Sequence, residues 1–223
     1  MRGALKPILA AGCLLAPLAG RAAESNGVTQ AWEADIRKFE AQDQQHPPPT
    51  NAVLLVGSSS IRLWPSPARD FPEVPVIQRG FGGCHMGDVV RYADRIVLPY
   101  KPRVVVIYAG DNDLAAGKTP ERVFADFTNL AGRVHAKLPE TRVAFIAIKP
   151  SPSRWRLLES IRAVNRCVAE LAAGRRDLVY VDIFTPMLGP DGTPRKELFV
   201  ADGLHMNAKG YALWVEAIRP YLR

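Results

Sequence analysis

Five short apolar runs punctuate the chain, and stretches of helical spacing lie between them. Val53-Leu54-Leu55-Val56 runs without a polar break into Gly57, as a strand buried on both faces should. Val74 to Ile77 predicts a second, shorter strand. Arg103-Val104-Val105-Val106-Ile107-Tyr108, rich in β-branched residues, predicts a third. Val143 to Ile148 and Leu178 to Val181 complete the set.

The intervening segments carry apolar residues at helical intervals. Trp32, Ile36 and Phe39 mark a helix ahead of the first strand, set off from it by Gln44-Gln45-His46-Pro47-Pro48-Pro49, the nearest approach to a hinge. Val89, Tyr92, Ile96 and Val97 mark the next helix, and Val123, Phe124, Phe127, Leu130 and Val134 the one after. Trp155, Leu158, Ile161, Val164, Val168 and Leu171 predict a long helix, and Ala212, Trp214, Val215 and Ile218 close the chain. Such alternation predicts a parallel sheet with helices on both faces. In sheets of this kind, chemistry is placed in the loops at the carboxyl ends of the strands.

At 223 residues the chain fits one domain with room for a proper core. Met1 to Lys6 is a basic start, and Pro7 to Gly20 is an uncharged stretch rich in Leu and Ala. Gly20-Arg21-Ala22 then offers small residues where a signal peptidase reads, so residues 1–23 are expected to be a leader and 24–223 a single exported domain, periplasmic or secreted. Lipid attachment at Cys13 is the rival reading, weakened because the apolar run continues past that cysteine. No later segment approaches the ~20 apolar residues of a membrane helix.

Three of the charges behind the formal net +7 come from Arg2, Lys6 and Arg21, so the remaining domain is mildly basic with its signs interspersed. That distribution argues against nucleic acid as a partner. Cys84 and Cys167 remain beyond the leader, and pairing and free thiols are both open. Nothing in the sequence fixes an oligomeric state.

Four tetrads carry the candidate chemistry, three of them at predicted strand ends. Gly57-Ser58-Ser59-Ser60 turns into a helix start, where a serine hydroxyl can stand above the sheet or simply cap the helix. Gly80-Phe81-Gly82-Gly83 permits close approach of backbone N–H groups, and lacks the spacing of a phosphate cradle. Gly110-Asp111-Asn112-Asp113 places a carboxamide donor after the best strand. Its acidic pair invites a calcium reading, but Ala115 and Ala116 stand where an EF-hand needs a ligand and glycine. Asp202-Gly203-Leu204-His205 precedes the last helix, for which Asn207 is the expected N-cap. A carboxylate three residues before a histidine can hold Nδ1–H and leave Nε2 as a base. His46 and His135 have no such neighbour in the sequence, and His85 beside the glycine loop could line a site.

From about residue 50 to the C-terminus these segments resemble the sequence blocks of the SGNH, or GDSL-type, hydrolase family. The resemblance implies that Ser59 is the nucleophile, with Trp64 five residues beyond, and that Asp202 and His205 complete the catalytic set. It implies an oxyanion hole of the Ser59 and Gly83 backbone N–H groups and the Asn112 side chain. It also implies a flavodoxin-like three-layer α/β/α sandwich, and chemistry that uses no cofactor or metal. The usual aspartate of the first block is replaced here by Ser58, which bears on the local turn rather than on the catalytic residues.

The expected activity is hydrolysis of carboxylic esters through an acyl-enzyme on Ser59. The expected substrate is a small-molecule or carbohydrate ester with a short, acetyl-like acyl group, because no long apolar lid segment is visible. An O-acyltransferase using the same acyl-enzyme is the alternative within catalysis. An exported carbohydrate-binding protein with a silent site, or a nucleotide- or flavin-binding protein of similar topology, are the alternatives outside it.

Overall fold

The structure, a computed structural model, describes residues 31–222. The expected leader and Cys13 lie outside that range.

The described residues open with helix α1 (Glu33–Gln45), followed by strand β1 (Val53–Gly57) and two four-residue helices, α2 (Ser59–Arg62) and α3 (Pro67–Asp70). Strand β2 (Val76–Gly80) leads to α4 (Met86–Ile96), and β3 (Val104–Tyr108) to α5 (Asp111–Ala115) and α6 (Pro120–Lys137). Then come β4 (Arg142–Ile146), α7 (Leu158–Ala172), β5 (Leu178–Val181) and α8 (Ala208–Ile218).

Among the described residues the five strands pair in parallel, in the order β2-β1-β3-β4-β5. This is the flavodoxin-like order, in which the chain reverses direction across the sheet between β1 and β3. The buried strand residues alternate between two cores. Leu54, Val56, Val105, Ile107 and Phe145 face a core closed by α1, α4, α6 and α7. Val53, Leu55, Val104, Val106, Tyr108 and Ile146 face a second core with Ile61, Trp64, Phe71 and Trp214. The expected α/β three-layer sandwich is the observed fold.

Three predictions shift. The second strand begins at Val76 and continues through Gln78 and Arg79 to Gly80. It lies at the sheet edge, where polar side chains are tolerated, and Val74 packs in the second core just before it. The long helix starts at Leu158, because Pro152 to Leu157 forms a 3₁₀ segment interrupted by non-helical Arg154. The Pro-rich segment before β1 does not free α1, whose Ile36 is fully buried and whose Asp43 pairs with Arg79. Cys84 is buried and Cys167 partly buried, and both thiols are free.

Candidate active site

Gly57 closes β1 with φ +141°, and a Cβ there would lie 1.9 Å from the Tyr108 carbonyl oxygen. Only glycine fits, and its φ turns the chain up out of the sheet. The ladder still grips both sides of this turn: Ser58 N–H donates to Tyr108 O and Phe81 N–H donates to Gly57 O, each at 2.9 Å. Because Gly57 pairs with Gly80 of β2 and with Tyr108 of β3, the three strands end level. The residues just beyond them, Ser59, Gly83 and Asn112, therefore emerge from the same edge, at the β1/β3 switch point.

The three serines have different surroundings. Ser58 and Ser60 are each only 1% exposed, while Ser59 is partly open to solvent. Ser58 is the N-cap residue of α2 but its hydroxyl makes no capping bond and has no hydrogen-bond partner. Ser60 Oγ accepts from Lys149 Nζ at 3.1 Å. Ser59 Oγ stands 2.9 Å from His205 Nε2. Trp64 sits in the core, stacked on Tyr211 and donating from Nε1 to Asp70.

The Asp202–His205 segment organises itself. Asp202 Oδ1 accepts the backbone N–H groups of Leu204 and His205 at 2.8 and 2.9 Å, while Oδ2 lies 2.6 Å from His205 Nδ1. One carboxylate thus closes the turn with one oxygen and holds the ring with the other, which a spacing of three residues permits. Partial burial raises the Asp202 carboxyl pKa, but those backbone N–H groups and the His205 ring outweigh it and hold the group at about 2. The segment is secured further by Val200 N–H on His205 O and by Asn207, whose side chain caps α8.

Asn112 Nδ2 donates to Cys84 O at 3.1 Å, and its Oδ1 accepts from Arg154 Nη2 at 2.8 Å. The carboxamide therefore reaches the residue after Gly83 without touching the serine or histidine directly. Gly83 is exposed with φ +81°. The acidic neighbours point elsewhere. Asp113 accepts from Met86 N–H and pairs with Lys118, and Asp111 faces Lys149 and Arg154. His85 caps α4, its N–H donating to Asp88. His135 does have a carboxylate beside it, with Nδ1 3.3 Å from Asp177, at the amino ends of β4 and β5, opposite the serine.

A family model, the GDSL-like Lipase/Acylhydrolase family, matches residues 56–213, more than half of the chain. This chain belongs to that family. Among curated proteins no relative matches. Several solved structures share the fold of this chain. A GDSL-like lipase from Bacteroides thetaiotaomicron aligns with a TM-score of 0.73 at 20% identity, covering 85% of this chain and 97% of that one. A lipase/acylhydrolase from Enterococcus faecalis aligns at 0.61 and 26% identity, covering 77% and 97%. A carbohydrate esterase family 3 protein from Talaromyces cellulolyticus aligns at 0.60 and 20% identity, covering 76% and 95%. Membership in the GDSL-like family makes ester hydrolysis the activity class.

Beneath the site of this GDSL-like protein lies a charged cluster that the sequence patterns do not reveal. Lys149 Nζ, buried, donates to Ser60 Oγ, Tyr108 Oη and Asp111 Oδ2 at 3.1, 2.8 and 3.0 Å. Arg154 Nη1 adds a second cation 3.2 Å from Asp111. Burial pushes the Lys149 pKa down, against the attraction of Asp111. Burial would raise the Asp111 carboxyl, yet Lys149 and Arg154 together hold it below its usual value. The cluster carries a net positive charge behind Asn112 and the serine helix. Lys149 ends the apolar run Val143–Ile148 and Arg154 follows two prolines, positions with no periodic or motif signal of their own.

Proposed function

We propose that this family member is a serine esterase in which Ser59 is the nucleophile, His205 the general base and Asp202 the group that orients it. The observation that carries this reading is the continuous chain from Asp202 Oδ2 through the His205 ring to Ser59 Oγ, at 2.6 and 2.9 Å. Asp202 fixes the tautomer with the proton on Nδ1, leaving the Nε2 lone pair for the serine hydroxyl. Ser59 attacks the ester carbonyl as its proton passes to Nε2. The carbonyl oxygen becomes an oxyanion, received by the N–H groups of Ser59 and Gly83 and by Asn112 Nδ2. Ser59 is the first residue of α2, so its N–H has no carbonyl within the helix to reach. The imidazolium then gives its proton to the departing alkoxide. Water, deprotonated in turn by Nε2, attacks the acyl-enzyme and releases the carboxylic acid and free Ser59.

Short acyl groups suit the open edge on which these residues stand, where the Asp202 side chain is 46% exposed. A small-molecule or O-acetylated carbohydrate ester is the substrate class this favours. The basic start and Leu/Ala stretch of residues 1–23 support export, and N-terminal sequencing of the native protein is expected to begin near Ala23 or Glu24. The deciding experiment is a panel of p-nitrophenyl esters of increasing chain length. Acetate and butyrate should be turned over, long acyl chains poorly, and Ser59→Ala should be inert. Failure to cleave any ester, or equal activity in Ser59→Ala, would refute the assignment.

A further inference from the structure

Each of two amides at the proposed oxyanion site is gripped by its carbonyl oxygen. Trp32 Nε1 donates to Gly82 O at 2.9 Å, and Arg154 Nη2 donates to Asn112 Oδ1 at 2.8 Å. We propose that Trp32 and Arg154 are positioning residues, each holding the carbonyl end of an amide so that its N–H end faces the substrate oxygen. This rests on the esterase reading above.

For Trp32 the argument is the planarity of the peptide. The Gly82 carbonyl and the Gly83 N–H belong to one peptide group, and in the trans form they point to opposite sides of the chain. No cis bond occurs among the described residues. Fixing the oxygen therefore fixes the direction of the N–H. Control is needed here because a Gly-Gly step has the widest backbone freedom, and Gly83 is exposed at φ +81°. Without a partner on the carbonyl, this peptide could rotate and turn its N–H away at little steric cost.

Trp32 itself is well held. Its ring meets Phe81 edge-to-face at 6.2 Å, and α1 is bound to α4 through Arg95, which pairs with Glu33 and Glu40. Trp32 lies before the segment, residues 56–213, that matches the family.

For Arg154 the argument is donor and acceptor identity. A carboxamide can be reversed by half a turn, exchanging its oxygen and nitrogen. A guanidinium only donates and a backbone carbonyl only accepts. With Arg154 on one side and Cys84 O on the other, Asn112 satisfies both in a single orientation. Cys84 O takes one of the two amide hydrogens, and the other remains for substrate. The guanidinium is braced by Asp111, 3.2 Å from Nη1.

The test uses variants that keep packing and delete one donor. Trp32→Phe retains a ring against Phe81 and loses the indole N–H together with the pyrrole ring that carries it. Arg154→Met keeps the stem, and Arg154→Lys keeps the charge beside Asp111 but lacks a fork able to span both partners. On a short p-nitrophenyl ester, kcat should fall about tenfold or more in Trp32→Phe and in both Arg154 variants, with KM within about twofold, because orientation of a transition-state donor is lost. In an Asn112→Ala background, Arg154→Met should lower kcat no further, while Trp32→Phe should still lower it by its full factor. Wild-type kcat in Trp32→Phe overturns the proposal for Trp32. Wild-type kcat in both Arg154 variants, or losses that multiply between Arg154→Met and Asn112→Ala, overturn it for Arg154. If Ser59→Ala keeps wild-type kcat, the esterase assignment itself fails, and this proposal with it; if only Asn112→Ala does, Asn112 is no oxyanion donor and the proposal for Arg154 fails while the esterase assignment stands.

Discussion

His205 Nε2 lies 2.9 Å from Ser59 Oγ, although 146 positions separate the two residues in sequence. The contact depends on the end of β1 and the loop before α8 meeting at one edge of the sheet. Ser59→Ala and His205→Ala should each lower kcat by about 10⁴ or more, and the double variant should be no worse than either, since the members act as a unit. Ser58→Ala should retain most activity, because that hydroxyl is buried and without a partner. Ser60→Ala should do the same while removing one acceptor from Lys149. A fluorophosphonate should label Ser59, as read by peptide mapping, and label on Ser58 or Ser60 would contradict the assignment.

Asn112→Ala removes one of three proposed oxyanion donors. Its kcat should drop by about 10²–10³ while KM changes little, the signature of an interaction made only in the transition state. Steady-state kinetics on p-nitrophenyl acetate provide the measurement. A rise in KM at constant kcat would instead make Asn112 a residue that binds the ground state.

Asp202→Asn should lie between these, with the base present but poorly oriented. It should also change how stability depends on pH. The Asp202 carboxyl is held at about 2 in the folded protein, against 3.8 for an ordinary aspartate. A lowered carboxyl pKa contributes stability above the unfolded value, and that contribution is lost as pH falls through the folded one. The difference in urea midpoint between wild type and Asp202→Asn should therefore be full at pH 5 and shrink between about pH 4 and pH 2. The side chain is half exposed, so the difference will be modest. A midpoint difference unchanged from pH 5 to pH 2.5 would show that the ionised carboxylate does not brace this turn.

The layers of the fold were legible because β1 and β3 are buried along their whole lengths and read as unbroken apolar runs. The edge strand was less so, since Gln78 and Arg79 carry polar side chains that burial did not forbid. Two elements of the Asp202–His205 arrangement, the spacing and the following Asn207 cap, are local and show in sequence. The choice among Ser58, Ser59 and Ser60 needed the resemblance, because a run of three identical residues has no pattern. In the fold, burial separates them. The roles of Lys149, Arg154 and Trp32, the last visible only as part of a helical spacing, were hidden for a different reason. Each acts on a residue at least 42 positions away, and a lone cation or indole carries no periodicity that would announce its partner.

Lys149 provides the strongest test of the buried cluster. Its ammonium is one of two cations facing the buried Asp111 carboxylate, and the only one placed to reach Tyr108 and Ser60 as well. Lys149→Met has nearly the right volume but leaves Asp111 with Arg154 as its only remaining cation, beside the Tyr108 hydroxyl that donates to it at 3.1 Å. Removing one member of a buried pair typically costs about 3–5 kcal/mol, and the remaining Arg154 places this case near the lower end. Loss of Lys149 also lets burial raise the Asp111 carboxyl, so the penalty should be largest at neutral pH. It should shrink as the pH is lowered and that carboxyl takes up a proton. Adding Asp111→Asn should restore much of the stability, because the uncompensated charge is then gone. Urea unfolding of the single and double variants at pH 7 and pH 4.5 measures each of these. A Lys149→Met protein as stable as wild type at pH 7, or one that Asp111→Asn fails to rescue, would show that the cluster is not held together by this ion pair.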